Sequence, residues 1–201
     1  MSSDHTLRPL GRIARLQIQL KSPISGERPN RVYDPSPESV IAVEEMTLTP
    51  LGALVRLPDG VTMLDIHHAH HPSTKNDDNT NALSVNFTSH YDLMRAEFGG
   101  HLWDGSAGEN ILVETLSRVQ LESLANGLAI QPRGGEPVWL CQVLMAHPCR
   151  PFSGFVMGGT EATVKSALQF LDHGMRGYYC ALAQEQPVTI AVGDTVLVPR
   201  S

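Results

Sequence analysis

Cys149 is the side chain best placed to do chemistry. It lies in Met145-Ala146-His147-Pro148-Cys149-Arg150-Pro151-Phe152-Ser153, behind the strand-like apolar run 138–144. Each flanking proline fixes its own φ and disfavours helix at the residue before it. The spacing therefore predicts a stiff, non-helical turn that holds His147 and Arg150 extended and presents the thiol at a strand end. Arg150, and His147 when protonated, would favour the thiolate, the form that ligates soft metals or carries persulfide sulfur. The competing role for Cys149 is a buried structural cysteine, the commonest fate of a free thiol.

A second group is the turn Gly105-Ser106-Ala107-Gly108-Glu109-Asn110, which leads into the apolar Ile111-Leu112-Val113. Glycine lets backbone approach a ligand, and consecutive amides in such turns can hold an anion. The Asn110 amide can donate and accept, which suits a heterocycle edge or a metal-bound oxygen. The plain alternative is a tight turn with Asn110 bonded to its own backbone. Arg176-Gly177 offers a guanidinium for bidentate contact with phosphate or carboxylate. Arg150 and Arg133 are further candidates, with an ordinary surface ion pair the alternative for Arg133.

The run His67-His68-Ala69-His70-His71 is a third group. On a strand, His68 and His70 would share one face and His67 and His71 the other, a spacing that suits zinc, nickel or copper. Pro72 breaks the run, and no acidic or cysteine companion has matching spacing, so a polar rim of the pocket is the preferred reading. The chain has no phosphate-loop lysine motif, no Rossmann glycine fingerprint, no paired-cysteine zinc signature and no Gly-x-Ser-x-Gly turn.

Taken in order, Gly108-Glu109-Asn110-Ile111, Pro148-Cys149-Arg150-Pro151, Arg176-Gly177 and Val192-Gly193-Asp194-Thr195-Val196 resemble the MOSC family. That family is the C-terminal domain of the molybdenum cofactor sulfurases and also occurs as stand-alone bacterial proteins. The resemblance spans about residues 40–198, and Cys149 aligns with the family's characteristic cysteine. It implies a mainly β (α+β) fold: a β-barrel-like core with two or more peripheral helices. Residues 1–201 would then form a single domain, with an N-terminal strand and loop, 8–39, packed on the core.

The resemblance also implies molybdenum cofactor (molybdopterin) as the bound small molecule. Cys149 would be the catalytic residue, as molybdenum ligand or persulfide sulfur carrier. Gly108, Glu109, Asn110, His147, Arg150 and Arg176 would be the cofactor-binding residues. Two activities are implied: reduction of N-hydroxylated compounds with a redox partner, or sulfur transfer with a sulfur-donor protein partner. Whether the chain is itself an enzyme stays open. The large sulfurases use a separate pyridoxal-phosphate domain, for which this chain has no room, so no pyridoxal phosphate is expected. Where the family carries a Gly-Asp-Arg-His-like pattern, this chain has only Asp65 with His67 or His68. Two other readings stand beside this one: a non-catalytic binding or scaffold domain with a structural cysteine, and a histidine-cluster metalloprotein.

The elements that must position these groups are mostly short strands. With 201 residues, 41% of them hydrophobic and 18% charged, the chain can bury one sizeable core. A net charge of −6 argues against a general nucleic-acid binder. No apolar run approaches the ~20 residues of a membrane helix, and Met1–His5 has no signal-peptide character. Three cysteines do not make a secretory disulfide framework, so a reducing cytoplasm is expected.

Leu16, Ile18 and Leu20 alternate with polar residues, the pattern of a half-buried strand, and 21–37 reads as a loop. A strand begins at Val40 and runs toward Thr49. Short strands at 54–57 and 61–66 are set by Pro50-Leu51-Gly52 and Pro58-Asp59-Gly60, and 72–81 reads as a polar surface loop. After an alternating strand at 83–87, a helix runs from Thr88 or Ser89 to Phe98. Asp92 would close a capping box if Ser89 caps it, and Gly99-Gly100 stops it. A second helix over 160–172 carries the stripe Val164, Ala167, Leu168, Leu171 and ends near Gly174. Strands at 178–182 and 195–198, joined by a Gly193-Asp194 turn, close the chain, with Cys141 and Cys180 as core residues. Many short strands with two convincing helices suggest a sheet curled into a barrel.

Overall fold

Fourteen strands and three helices carry the chain in the computed structural model, which describes residues 6–74, 76, 80–158 and 160–200. Met1–His5 and residues 75 and 77–79 of the expected polar loop lie outside that description. The first elements are β1 (Leu7–Gln19), the small hairpin β2 (Ile24–Ser25) and β3 (Val32–Tyr33), β4 (Val40–Val43) and β5 (Glu45–Thr49). Then come β6 (Gly52–Arg56), β7 (Thr62–Leu64), β8 (Leu83–Phe87), α1 (Thr88–Phe98) and β9 (Ile111–Glu114). A 3₁₀ turn (Leu121–Leu124) precedes β10 (Leu128–Gln131), β11 (Val138–Met145), α2 (Arg150–Met157) and α3 (Val164–Leu171). The chain finishes with β12 (Tyr178–Leu182), β13 (Val188–Ala191) and β14 (Thr195–Pro199).

Seven strands in the order β14-β10-β11-β12-β8-β9-β1 close into a barrel, because β1 also pairs with β14. Closure removes the exposed edges that an open sheet would leave. Every neighbouring pair is antiparallel except β8–β9, whose parallel register needs α1 as its crossover. β4 adds to β1 outside the ring, and β13-β5-β6-β7 form a second sheet. The mainly β fold with peripheral helices, expected from the many short apolar runs, is what the structure has.

Two apolar cores result. One fills the barrel and the space under the second sheet, with Leu16, Ile18, Val85, Phe87, Ile111, Leu140, Tyr178 and Val196 among its buried residues. The other lies between the outer face of the barrel and the helices, and joins Tyr33, Tyr91, Met94, Phe98, Leu112, Phe152, Ala167 and Leu171. The helical layer covers one flank of the barrel, so the strands beneath it are buried on both faces.

Several expectations need correction. β8 and the Leu16–Gln19 end of β1 are not half-buried: Gln17, Gln19, Ser84 and Asn86 point outward from the barrel yet are buried under that layer. The single strand expected from Val40 breaks at Glu44, whose carbonyl turns away to accept the Val192 amide. α1 begins at Phe87 without a side-chain cap. Ser89 Oγ turns instead to Thr115 Oγ1 (2.7 Å) and the Ser117 carbonyl (2.8 Å), and Asp92 pairs with Arg95. The later helix starts at Val164 rather than at 160, capped reciprocally by Thr163 and Ser166. β13 intervenes between β12 and β14, so the Gly193-Asp194 turn joins β13 to β14. Cys180 is buried, but Cys141 on β11 is only half-buried.

The largest correction concerns the Cys149 segment. Arg150 is not extended; it is the first residue of α2, with Cys149 as N-cap and Pro151 in the first turn. Proline is tolerated there because its missing N–H would have no intrahelical partner, and its fixed φ suits a helix start. Cys149 itself keeps the extended backbone (φ −113°, ψ 155°) that the prolines suggested.

Candidate functional site

A buried polar stripe crosses the outer face of the barrel beneath the helical layer. In register, Tyr179 of β12 stands opposite Ser84 of β8. Ser84 is stitched to Asn110 by three hydrogen bonds of 3.0–3.1 Å. Asn110 Nδ2 donates to the Gln17 carbonyl (3.3 Å) and to Asp65 Oδ2 (3.0 Å), and Gln17 N donates to the Asn110 carbonyl. The capacity of the Asn110 amide is therefore engaged within the protein. Asp65 is sealed as well. Oδ2 also accepts the Gln19 amide (2.7 Å), and Oδ1 accepts the His67 amide (2.9 Å) and lies 3.1 Å from His67 Nδ1.

The Gly105–Asn110 turn is held from below by β1. Gln17 Nε2 donates to the Gly105 carbonyl (2.7 Å), and Gln19 Nε2 to the Gly108 carbonyl (2.6 Å). From above, the Tyr33 hydroxyl donates to the Ser106 carbonyl at 2.9 Å. Gly108 has φ +81°, and a Cβ there would come within 3.0 Å of Gln19 Nε2 and 3.2 Å of the Tyr33 hydroxyl. The turn needs glycine at this position on both counts.

Glu109, only 2% exposed, is the buried acid of this region. Both its oxygens accept from the Tyr91 hydroxyl (3.0 and 2.9 Å), which also receives the Ala107 amide (2.8 Å). Burial raises the Glu109 pKa to about 7, although its own amide, the Tyr91 hydroxyl and the Arg176 charge oppose the rise. Burial likewise raises the Tyr33 pKa, against the pull of Arg176 and with the help of Glu109 and Cys149. For Arg176 burial disfavours the charge, but the field of Tyr33, Tyr179, Glu109 and Tyr91 outweighs it and raises its pKa.

Arg176 sits over the Phe152 ring, 4.6 Å from its centroid, an arrangement worth about 1 kcal/mol. Its guanidinium has no hydrogen-bond or ion-pair partner among the described residues. The Phe152 ring in turn meets Tyr33 edge-on at 5.1 Å. The glycine turn, the Cys149 helix and the Arg176 segment thus meet around two aromatic rings. Gly177, with φ +104°, closes the approach to β8: a Cβ there would lie 2.8 Å from the Val85 carbonyl.

Cys149 is half-buried against the helical core, and its thiol makes no cap hydrogen bond. The other named residues divide. Arg150 and His147 are exposed, and the His147 ring lies 3.6 Å from Asp172 Oδ1, toward the end of α3. Arg133 is exposed between β10 and β11. His67–His71 form successive turns rather than a strand, and their bonds serve the fold: His71 Nε2, for example, lies 3.2 Å from the Leu20 carbonyl. Among the described residues no group of three or more His, Cys, Asp or Glu side chains is arranged to hold a metal.

Sequence reasoning missed Gln17, Gln19, Ser84, Asn86 and Tyr33. The amides of Gln17 and Gln19, two apart on a strand, were the available signal; Tyr33 in a loop had none. Two buried atoms beside the site lack partners: Ser106 Oγ in the turn and Asn86 Nδ2, next to Gly177. Unpartnered buried polar atoms are rare in folded proteins and call for a ligand or water.

Residues 67–197 match the family model of the MOSC domain. No curated protein matches the chain by sequence. The fold is similar to that of the YUAD protein from Bacillus subtilis, with a TM-score of 0.61 and 12% identity over 98% of this chain and 99% of that one. A crystal structure of a hypothetical protein is similar at TM-score 0.54 and 14% identity, over 96% of this chain and 69% of that one.

Proposed function

The chain belongs to the MOSC domain family, which is associated with molybdenum-cofactor-related function, and on that premise we propose that it binds molybdenum cofactor. In this reading Cys149 is either the thiolate ligand of the metal or a persulfide carrier, since soft sulfur suits both. The observation that carries the proposal is Arg176: a half-buried guanidinium, stacked on Phe152 and unpartnered among the described residues, beside the helix that Cys149 caps. An anionic ligand with a soft centre asks for that combination.

The donor set fits the cofactor. Arg176 would hold its anionic group, while Ser106 Oγ and Asn86 Nδ2, buried and without a partner, would be the polar contacts left for it. Asn110 would act through the wall it holds, since its amide is already engaged. Gly108 would likewise act through the wall, since Gln19 and Tyr33 close on it, and Glu109 would hold or release one proton through Tyr91 near neutral pH. Arg150 and His147, exposed at the start of α2, would meet a partner or an outer part of the ligand. Bound there, the cofactor supplies two-electron redox chemistry, and reduction of N-hydroxylated compounds is the activity we assign to that state. An electron-donor protein would be required. In the carrier state, an acceptor nucleophile takes the outer persulfide sulfur and Cys149 is left as the thiolate.

Molybdenum analysis and pterin fluorescence on wild type and Cys149→Ala test the reading. Molybdenum lost in the variant supports the ligand role. A cyanide-labile persulfide without molybdenum supports the carrier. Neither signal in wild type from a molybdenum-replete host would leave a binding domain with a structural cysteine. Three free cysteines and the absence, among the described residues, of a helix able to cross a membrane accompany our proposal of a cytoplasmic site of action.

A further inference from the structure

The backbone pairing around β4 leaves one residue-wide opening on the barrel's flank. Residues of β4 stand opposite β1 in the register Val40↔Gln19, Ile41↔Ile18, Ala42↔Gln17 and Val43↔Leu16. Gln19 N donates to Asp65 and Gln17 N to the Asn110 carbonyl, so both amides point away from β4. By antiparallel alternation, Val40, Ala42 and Glu44 then turn their own backbone groups outward. Val40 N donates to the Ser36 carbonyl, and the Glu44 carbonyl accepts from Val192 N. Only Ala42, exposed and between those two, is left with N–H and C=O facing out and no partner among the described residues.

This opening lies in a cleft of about 550 Å³, lined by Arg15, Asp34, Pro35, Ile41, Trp103 and Phe155 among others. Trp103 is 38% exposed. Arg15 lies 5.4 Å from the centroid of the Trp103 ring and spends its Nε on Gln17 Oε1 (2.7 Å). Its two terminal nitrogens have no partner among the described residues. The cleft thus combines an extended-strand hydrogen-bond pair, an aromatic wall and the open end of the Arg15 guanidinium, with the Asp34 carboxylate on the same lining.

We propose that β4 captures a short extended segment of a partner protein, paired to the Ala42 backbone, with an apolar side chain against Trp103 and Phe155 and a neighbouring carboxylate on Arg15. Strand addition draws affinity from main-chain bonds and specificity from alternate side chains. The Arg15 cation and the wall of Trp103 and Phe155 select such a segment. A second copy pairing β4 with β4 across Ala42 would show instead as a wild-type dimer that Ala42→Pro abolishes, and that result overturns the proposal. The Phe155 ring lies 5.4 Å from Tyr33, so the docked segment would sit next to the helix that bears Cys149, though the inference does not depend on what that cysteine does.

Selection from a library of randomised, blocked heptapeptides displayed on phage tests this, using wild type and Ala42→Pro in parallel. Proline removes the N–H and is tolerated on edge strands; circular dichroism confirms folding. Wild type should enrich peptides with an Asp or Glu adjacent to a large apolar residue. One enriched peptide, synthesised, should quench Trp103 fluorescence, slow hydrogen exchange at the Ala42 amide, and bind Ala42→Pro at least tenfold more weakly. Arg15→Met should lose the acidic preference while retaining the apolar one. Equal binding by Ala42→Pro, unchanged exchange at Ala42, or no enrichment at all overturns the proposal. So would peptides whose enrichment persists in Trp103→Ala.

Discussion

The Tyr91 hydroxyl reaches both carboxylate oxygens of Glu109, at 3.0 and 2.9 Å, and among the described residues no cation is hydrogen-bonded to that carboxylate. The Glu109 amide, the Tyr91 hydroxyl and the more distant Arg176 charge offset only part of the cost of burying the carboxylate, so burial lifts the pKa from 4.5 to about 7. A carboxyl with a folded pKa above its unfolded one binds its proton more tightly when folded. Its contribution to stability is present below about 4.5 and is lost as pH rises toward 7, amounting to about 3 kcal/mol in all. Glu109→Gln should flatten the fall in stability between those pH values, measured by denaturant unfolding across the range. An unchanged slope would mean that Glu109 is not the titrating group.

Asn110→Ala should cost about 3 kcal/mol or more, because it leaves Ser84 N and one position on the Asp65 carboxylate without their partner in a buried setting. Asn110→Asp should cost at least as much, since it sets a second carboxylate against Asp65. Urea midpoints give both values.

Cys149→Ser separates a working thiol from a structural one. The α2 cap makes no side-chain hydrogen bond as it stands, and serine at that position typically adds up to about 1 kcal/mol. The variant should melt at or slightly above the wild-type temperature while losing molybdenum or persulfide. A loss of several degrees would favour a structural cysteine.

Gly177→Ala should destabilise by roughly 2 kcal/mol or more, through its positive φ and the contact with the Val85 carbonyl. Thermal unfolding reads the effect.

Arg176→Met keeps an extended side chain for Phe152 but removes the cation. Cofactor content should fall at least tenfold, with the reactivity of Cys149 toward iodoacetamide intact. Retention of cofactor at the wild-type level would move the anion site elsewhere.

Much of the architecture was legible because it is written locally. Gly99 ends α1, the proline turns set β6 and β7, and Tyr178–Leu182 alternates as a strand should. Cys149 was legible as an extended residue between prolines, but the helix it caps was not, because Pro151 reads as a breaker everywhere except the first turn. The polar stripe was hidden for a different reason. Gln17, Gln19, Ser84 and Asn86 look like the solvent face of ordinary strands, and only tertiary cover by the helices and the β2–β3 hairpin makes them interior. Tyr33 gains its place over the Gly108 turn from a contact across more than seventy residues, which no local pattern encodes.

The seam of the barrel also sets a timetable. β1 supports the Gly105–Asn110 turn through Gln17 and Gln19, yet its own ladder is completed by β14, where Leu7 faces Pro199 and Arg12 faces Thr195. Pairing the two ends of so long a loop carries a large closure entropy, repaid only when the intervening strands are in place. A nascent chain that has already exposed Cys149 and the glycine turn to the cell therefore still has an open barrel under them. On the proposed reading, loading of a ligand at Arg176 belongs after synthesis and closure, and a product truncated before β14 would present the thiol without a closed barrel behind it.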